Sequence, residues 1–197
     1  MISFLSHRIA LFLKKNDIVD DETSQVCQYG FEIIISTIIG FLIVIVIGMC
    51  FKDILSSLLF YTIFVGVRLS TGGYHATTHF RCKLLLCICC LFVVIMANLI
   101  LNYYNIWLHA IVVSTYLLTV FAFSPIAHKN APLDTSAMKH NRVISIIVSI
   151  ILAIALSIGY FELKKAAMVS ALTLLIVAFL MILSKITERR GSDEKGN

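Results

Sequence analysis

The sequence predicts an all-α polytopic integral membrane protein. Its 197 residues are 59% apolar and only 14% charged, whereas a soluble domain of this size has roughly a quarter of its residues charged. The apolar residues fall in continuous runs rather than in alternation, and several reach about 18 to 20 residues, the length of a bilayer-spanning helix. Only two prolines interrupt the chain. Backbone in hydrocarbon must satisfy its own hydrogen bonds, which leaves helices or closed barrels, and unbroken runs select helices. The length accommodates one membrane domain over residues 1–197. Within it, residues 1–30 form an N-terminal segment, 31–184 the bundle and 185–197 a cytoplasmic tail.

From Met1 to Lys15, Ile2, Leu5, Ile9 and Phe12 recur at helical spacing, with Arg8, Lys14 and Lys15 between and after them. That pattern predicts an amphipathic helix on the membrane surface rather than the uninterrupted apolar core of a cleavable signal peptide. Packing onto the bundle is the alternative reading of the same pattern. Six apolar segments follow: Phe31–Cys50, Ile54–Val67, Leu84–Leu101, Ile106–Ala127, Val143–Phe161 and Ala166–Ser184. The second holds 14 residues before Arg68, so it is a short tilted span, a re-entrant segment, or a span that buries part of the polar loop. The charged stretch from Glu188 to Asn197 reads as a frayed end.

If all six segments cross, 13 of the 16 basic residues lie on one side and 3 on the other. The positive-inside rule then places both termini, and the connection between the second and third spans, in the cytoplasm. That compartment does not maintain disulfides, so the six cysteines are expected to be free thiols. Cys87, Cys89 and Cys90 fall inside the third span and read as small core hydrophobes. Glu32 lies at the cytoplasmic end of the first span, and Asn98, His109 and Glu162 lie near the opposite face. Sparse charge within the spans argues against an ion-coupled pump.

The connection from Arg68 to Cys82 reads RLSTGGYHATTHFRC. Ionisable groups beside the membrane core are costly and point to function. Cys82 stands at the expected N-terminal end of the third helix. Unpaired N–H groups and the helix dipole favour an anion there, as do the charges of Arg68, Arg81 and Lys83, so this thiol is the candidate nucleophile. Gly72 and Gly73 can form a tight turn or, with their N–H groups, an oxyanion hole. On a continuous helix His79 shares a face with Cys82, while His75 is about 10.5 Å away along the axis. His75, His79 and Cys82 also have i, i+4, i+7 spacing, which could serve zinc. No acidic residue between 68 and 83 offers the base of an H-E-x-x-H site,. A metal is therefore not expected.

These residues resemble the accessory gene regulator B family (AgrB), membrane cysteine endopeptidases of peptide quorum sensing in Gram-positive bacteria. The motif is R-x-x-[ST]-G-G-x-H-A, here Arg68, Thr71, Gly72, Gly73, His75 and Ala76, with Cys82 seven residues after the histidine. A weaker match is Ser124-Pro125 followed by Asn130 and Pro132-Leu133. The resemblance implies that Cys82 is the nucleophile and His75 its general base. It leaves Arg68, Thr71, Gly72, Gly73, His79, Ser124, Pro125, Asn130 and Pro132 as supporting, oxyanion or substrate-binding residues. For His75 to reach Cys82 the chain must bend near Gly72–Ala76, and one unbroken helix from 70 to 90 would exclude the pair.

The resemblance further implies removal of the C-terminal tail of an AgrD-type precursor peptide through a Cys thioester. Attack by an internal cysteine or serine of the peptide then closes a thiolactone or lactone. The implied partners are that precursor, membrane lipid and a second copy of the chain in a homodimer. No nucleic acid and no cofactor are expected. The competing readings are a small peptide transporter or export protein, and a metal-binding membrane protein.

Overall fold

The computed structural model describes residues 2–16, 19–71, 79–124 and 135–193. Within them every regular element is a helix: α1 (Ile2–Lys15), α2 (Asp21–Cys50), α3 (Ile54–Thr71), α4 (His79–Ile100), α5 (Ile106–Phe123), α6 (Thr135–Glu162) and α7 (Lys164–Asp193). Among the described residues five stretches are long and apolar enough to cross a bilayer: Val26–Cys50, Phe80–Ile100, Ile106–Phe123, Arg142–Glu162 and Lys164–Thr187. The chain is an all-α polytopic membrane protein. Its outer surface is apolar, with Ile38, Leu42, Ile88, Ile151 and Phe179 exposed, as a hydrocarbon solvent allows.

The centre of the bundle is α7, which packs against α3, α4, α5 and α6. Its Ala167, Ala171 and Ala178 are buried beside Met168, Leu174 and Met181. Lipid tails are as apolar as leucine, so helix association in membranes relies on close packing, and small residues permit it. On α6 the same device appears as buried Ser145, Ser149 and Ala153 at four-residue spacing. The Tyr116 hydroxyl of α5 meets Ser149 Oγ there at 2.8 Å.

The short second apolar segment is a continuous helix, α3, which α2, α4, α6 and α7 all contact. Phe60, Ile63, Phe64 and Val67 are buried. Its apolar part, Ile54–Val67, rises about 21 Å, less than the roughly 30 Å of a hydrocarbon core. A helix covered by four others meets little lipid, so the shortfall costs little. The full helix to Thr71 rises about 27 Å and runs the depth of the bundle. A continuous helix of this length favours the short-span reading over the re-entrant one.

Three boundaries differ from the expectation. The fourth span was expected to reach Ala127, but α5 stops at Phe123 and Ser124 is extended, with φ −82° and ψ 146°. The ring of Pro125 disfavours helical backbone at the residue before it. Residues 188–193 continue α7, so that part of the tail is helical rather than frayed. Helix α2 begins at Asp21 and is capped by Asp20, whose side chain accepts the Thr23 N–H at 2.9 Å; ten residues counted with the N-terminal segment therefore belong to the first long helix.

Helix α1 packs on α2, and it does so through Ser6 and Ala10, both buried. Ser6 Oγ donates to Glu32 Oε1 at 3.3 Å, and His7 Nδ1 lies 3.0 Å from Gln28 Oε1. The apolar stripe singled out in the sequence points the other way, leaving Leu5 and Phe12 exposed along with Phe4 and Leu11.

The bundle has two distinct ends. One carries the turn Phe51–Asp53, the C-terminal end of α4, the start of α5 and the start of α7. Asp53, Asn98 and Lys165 are joined there by polar contacts. The opposite end carries the end of α3, the start of α4 and Ser124 at the end of α5.

Candidate active site

Helix α3 is described to Thr71 and α4 from His79, and the two helices pack against each other. The expected bend, with Gly72, Gly73 and His75, falls in residues 72–78, outside the described residues. Pro125, Asn130 and Pro132 lie outside them as well. Of Arg68, Thr71 and His79 the backbone alone is described: Arg68 and Thr71 in the last turn of α3, His79 as the first residue of α4. The competing zinc set of His75, His79 and Cys82 also falls partly outside.

Cys82 is the fourth residue of α4 and half-buried. It lies in the first turn, where the leading N–H groups lack intrahelical acceptors and the dipole is positive. No acidic residue occupies that turn. Phe80 and Arg81 beside it are exposed. Lys83 turns toward the bundle instead, and its Nζ donates to the Ser36 carbonyl of α2 at 2.5 Å. The geometry therefore offers a thiol at a helix start, on the rim of the bundle, with apolar and cationic groups around it.

The remaining thiols are placed differently. Cys89 and Cys90 are buried in the core, Cys87 is half-buried along the same helix, and Cys27 and Cys50 belong to α2. All six are free. Cys82 alone of them sits in the first turn of a helix.

Ser124 is brought to the same end of the bundle as Cys82. It is 5% exposed, and its Oγ is buried with no hydrogen-bond partner among the described residues. A buried hydroxyl in that state costs about 1 to 3 kcal/mol relative to a satisfied one. At this end Arg142 of α6 donates to the Phe121 carbonyl at 3.3 Å, tying α6 to the last turn of α5.

The polar residues of the far end do not join this site. His109 is buried, with its Nδ1 2.6 Å from the Tyr104 hydroxyl and its Nε2 3.4 Å from Ser157 Oγ. Tyr160 stacks obliquely over it at 5.4 Å. Burial raises the pKa of Tyr104 well above the ordinary tyrosine value, so that hydroxyl stays protonated and can donate to the imidazole. The network satisfies His109 within the fold, and α4 separates it from Cys82 by most of its length.

Sequence reasoning located Cys82 but missed the contact that fixes Lys83 to α2. The available signal was a lysine placed inside an apolar run, which requires a partner.

Comparison with known proteins gives a consistent likeness. The Accessory gene regulator B family profile matches residues 6–185. An AgrB-like protein of Clostridium perfringens strain SM101 is 31% identical over 144 residues, covering 71% of this chain and 67% of the relative. AgrB-like protein 2 of Clostridium perfringens strain 13 is 28% identical over 144 residues with the same coverage. No solved structure matches the chain.

Proposed function

The chain belongs to the accessory gene regulator B family, whose setting is the agr quorum-sensing system, and from that premise we propose that it is a membrane cysteine endopeptidase acting on an AgrD-type precursor peptide. The observation that carries the proposal is the position of Cys82. A thiol in the first turn of α4 stands seven residues beyond the histidine of the Arg68–Ala76 motif, at a helix N-terminus with unpaired N–H groups and a positive dipole end.

In the proposed reaction His75 takes the Cys82 thiol proton, and the sulfur attacks the carbonyl of the scissile peptide bond. The oxyanion forms against N–H groups of Gly72 and Gly73. As the tetrahedral intermediate collapses, the C–N bond breaks and the departing amine of the tail takes the proton from His75. The peptide core is left as a thioester on Cys82. An internal cysteine or serine of the peptide then attacks that thioester, a ring closes as thiolactone or lactone, and Cys82 recovers its proton. Exchange keeps the acyl group activated, whereas water would discard it as a linear acid. A site at the rim of an apolar bundle limits water and suits cyclisation.

Arg68 and Thr71, in the last turn of α3, and Ser124, Pro125, Asn130 and Pro132, after α5, are assigned to precursor binding. The 13-to-3 division of basic residues supports a cytoplasmic position for this end and both termini. It also gives a surface complementary to an acidic peptide tail. The enzyme acts in lipid as a homodimer.

The test is to incubate the purified protein, reconstituted in lipid, with an AgrD-type precursor and follow the masses. The expected products are the released tail and a peptide core lighter by one water than its linear acid. The Cys82→Ala variant should yield neither, and a chelator should change nothing. Cleavage that persists without Cys82 overturns the proposal. Transport of intact peptide without cleavage would favour the export reading, and loss of activity with chelator the metal reading.

A further inference from the structure

Helices α2, α3 and α4 come together around one glycine. A Cβ at Gly40 would stand 3.1 Å from Leu86 Cδ2, 3.3 Å from Lys83 Nζ and 3.4 Å from Tyr61 Cε2. Leu86 and Tyr61 are themselves buried. Beside the glycine, two side chains from different helices donate to consecutive carbonyls of α2. Lys83 Nζ reaches Ser36 O at 2.5 Å, and the Tyr61 hydroxyl reaches Thr37 O at 2.7 Å. Each carbonyl has a second lone pair, so these contacts can add to the helical hydrogen bonds of α2.

The direction of Lys83 is informative. It falls within the apolar stretch Phe80–Ile100, where an ammonium is costly unless its donors are met. Such a lysine near a helix end ordinarily extends to the membrane surface. Lys83 instead reaches sideways to a neighbouring backbone, and α2 carries a glycine where the ammonium passes. The contact ties the first turn of α4 to α2, one residue after Cys82. It gives Lys83 a part other than the one expected from the sequence, where its charge was counted among those favouring the thiolate.

We infer that Lys83 is a positioning residue. Held to the Ser36 carbonyl across Gly40, it fixes the rotation and height of the first turn of α4, and so the place of the Cys82 sulfur. The inference rests on the reading of Cys82 as the nucleophile. A displacement of about 1 Å in a reacting group can cost on the order of a hundredfold in rate, so loss of this tie should appear in turnover rather than in substrate affinity.

The experiment compares Lys83→Met, Lys83→Arg, Gly40→Ala and the double variant Lys83→Met/Gly40→Ala, reconstituted in lipid, by precursor cleavage kinetics and by melting temperature. Lys83→Met is expected to lower kcat by about tenfold or more while KM stays within about twofold, and Lys83→Arg, which retains donors, to recover part of kcat. Gly40→Ala should lower both kcat and melting temperature. Its thermal cost should shrink in the Lys83→Met background, because the ammonium it displaces is gone. A raised KM with unchanged kcat would assign Lys83 to substrate binding and overturn the inference, as would strictly additive thermal shifts. The thermal cycle needs no activity. If Cys82 proved dispensable for cleavage, the cycle would still read the Lys83–Gly40 tie, and the failure would lie with the nucleophile.

Discussion

Asp53 Oδ2 lies 2.8 Å from Lys165 Nζ, joining the turn after α2 to the first residues of α7. Asn98, near the end of α4, completes the contact: its Nδ2 lies 3.5 Å from Asp53 Oδ2, and its Oδ1 accepts from Lys165 at 3.0 Å. Three segments distant in the chain are thus held at one level. Because α3 starts beside Asp53 and α4 finishes there, the same contact sets where their other ends fall, at Thr71 and His79. The end of the bundle opposite Cys82 therefore helps to fix the frame in which Cys82 sits.

This contact should show in the pH dependence of stability. Burial works against the charge of Asp53, but hydrogen bonds from Lys165 and Ser56 and the charge of Lys165 outweigh it, holding the carboxyl below its ordinary value of 3.8. A carboxyl lowered on folding contributes stability that is fully present above its unfolded pKa and lost as pH falls through the folded one. The melting temperature in detergent should accordingly be flat from about pH 8 to 5 and fall below about pH 4. Asp20 is lowered too, through its hydrogen bonds to Thr23, so the contribution of Asp53 is the difference between wild type and Asp53→Asn. That variant should lower the plateau by about 1 kcal/mol or less and flatten the acid limb. An unchanged acid limb would show that the pair contributes nothing.

Exchange of the two histidines of the Arg68–Cys82 connection separates the proposed roles. His75→Ala should reduce precursor cleavage by about a hundredfold or more, the usual worth of a general base. His79→Ala should leave cleavage within about tenfold, because His79 then acts only as the first residue of α4. Alkylation of Cys82 by a thiol reagent, followed by mass, reports whether the nucleophile is still accessible in each variant. The reverse ranking would make His79 the partner, as the spacing on a continuous helix suggests.

Much of this architecture was readable in the chain because bilayer-spanning helices leave long apolar runs, and all six runs became helices. What hydropathy did not report was which face of a helix packs. The stripe of Leu5 and Phe12 on α1 points outward, and Ser6 and Ala10 make the contact, because in lipid close approach rather than apolarity selects the buried face. The partners of Lys83, Asn98 and Lys165 were likewise hidden. Lys165 and Asn98 are 67 positions apart, and Lys83 and Ser36 are 47 apart, so no local pattern links them. Cys82 was legible for the opposite reason: a helix start is a local feature, visible where the polar connection gives way to an apolar run.

Ser124 offers a test of whether its buried hydroxyl serves the substrate. Removing a buried hydroxyl that has no partner among the described residues removes a cost rather than a bond, so Ser124→Ala should leave the melting temperature unchanged or raise it. If the hydroxyl binds precursor, the same variant should raise KM by about tenfold, equivalent to about 1.4 kcal/mol. Stability and affinity would then move independently. A fall in melting temperature with unchanged KM would make Ser124 a structural residue of the α5 end.

The turn between α2 and α3 rests on Gly48, and a methyl group there has nowhere to go. A Cβ at Gly48 would overlap Ser57 Oγ and stand 2.8 Å from the Ile54 Cα. The chain reverses within three residues, Lys52 adopts a positive φ of 53°, and the Asp53 N–H returns to the Gly48 carbonyl at 2.8 Å. Ser57, whose Oγ donates to the Asp53 and Ile54 carbonyls, is locked in place and cannot move aside. Gly48→Ala should therefore cost about 2 to 3 kcal/mol, at the upper end for overpacking, because one of the obstructing atoms is backbone. Gly48→Ala/Ser57→Ala should recover only part of that loss: it removes the hydroxyl but leaves the Ile54 backbone where it is. Since this turn carries Asp53, the single variant should also weaken the Asp53–Lys165 pair and reduce the acid limb of the stability curve. Full recovery in the double variant would mean that the backbone of α3 yields, and that the turn is looser than its geometry requires.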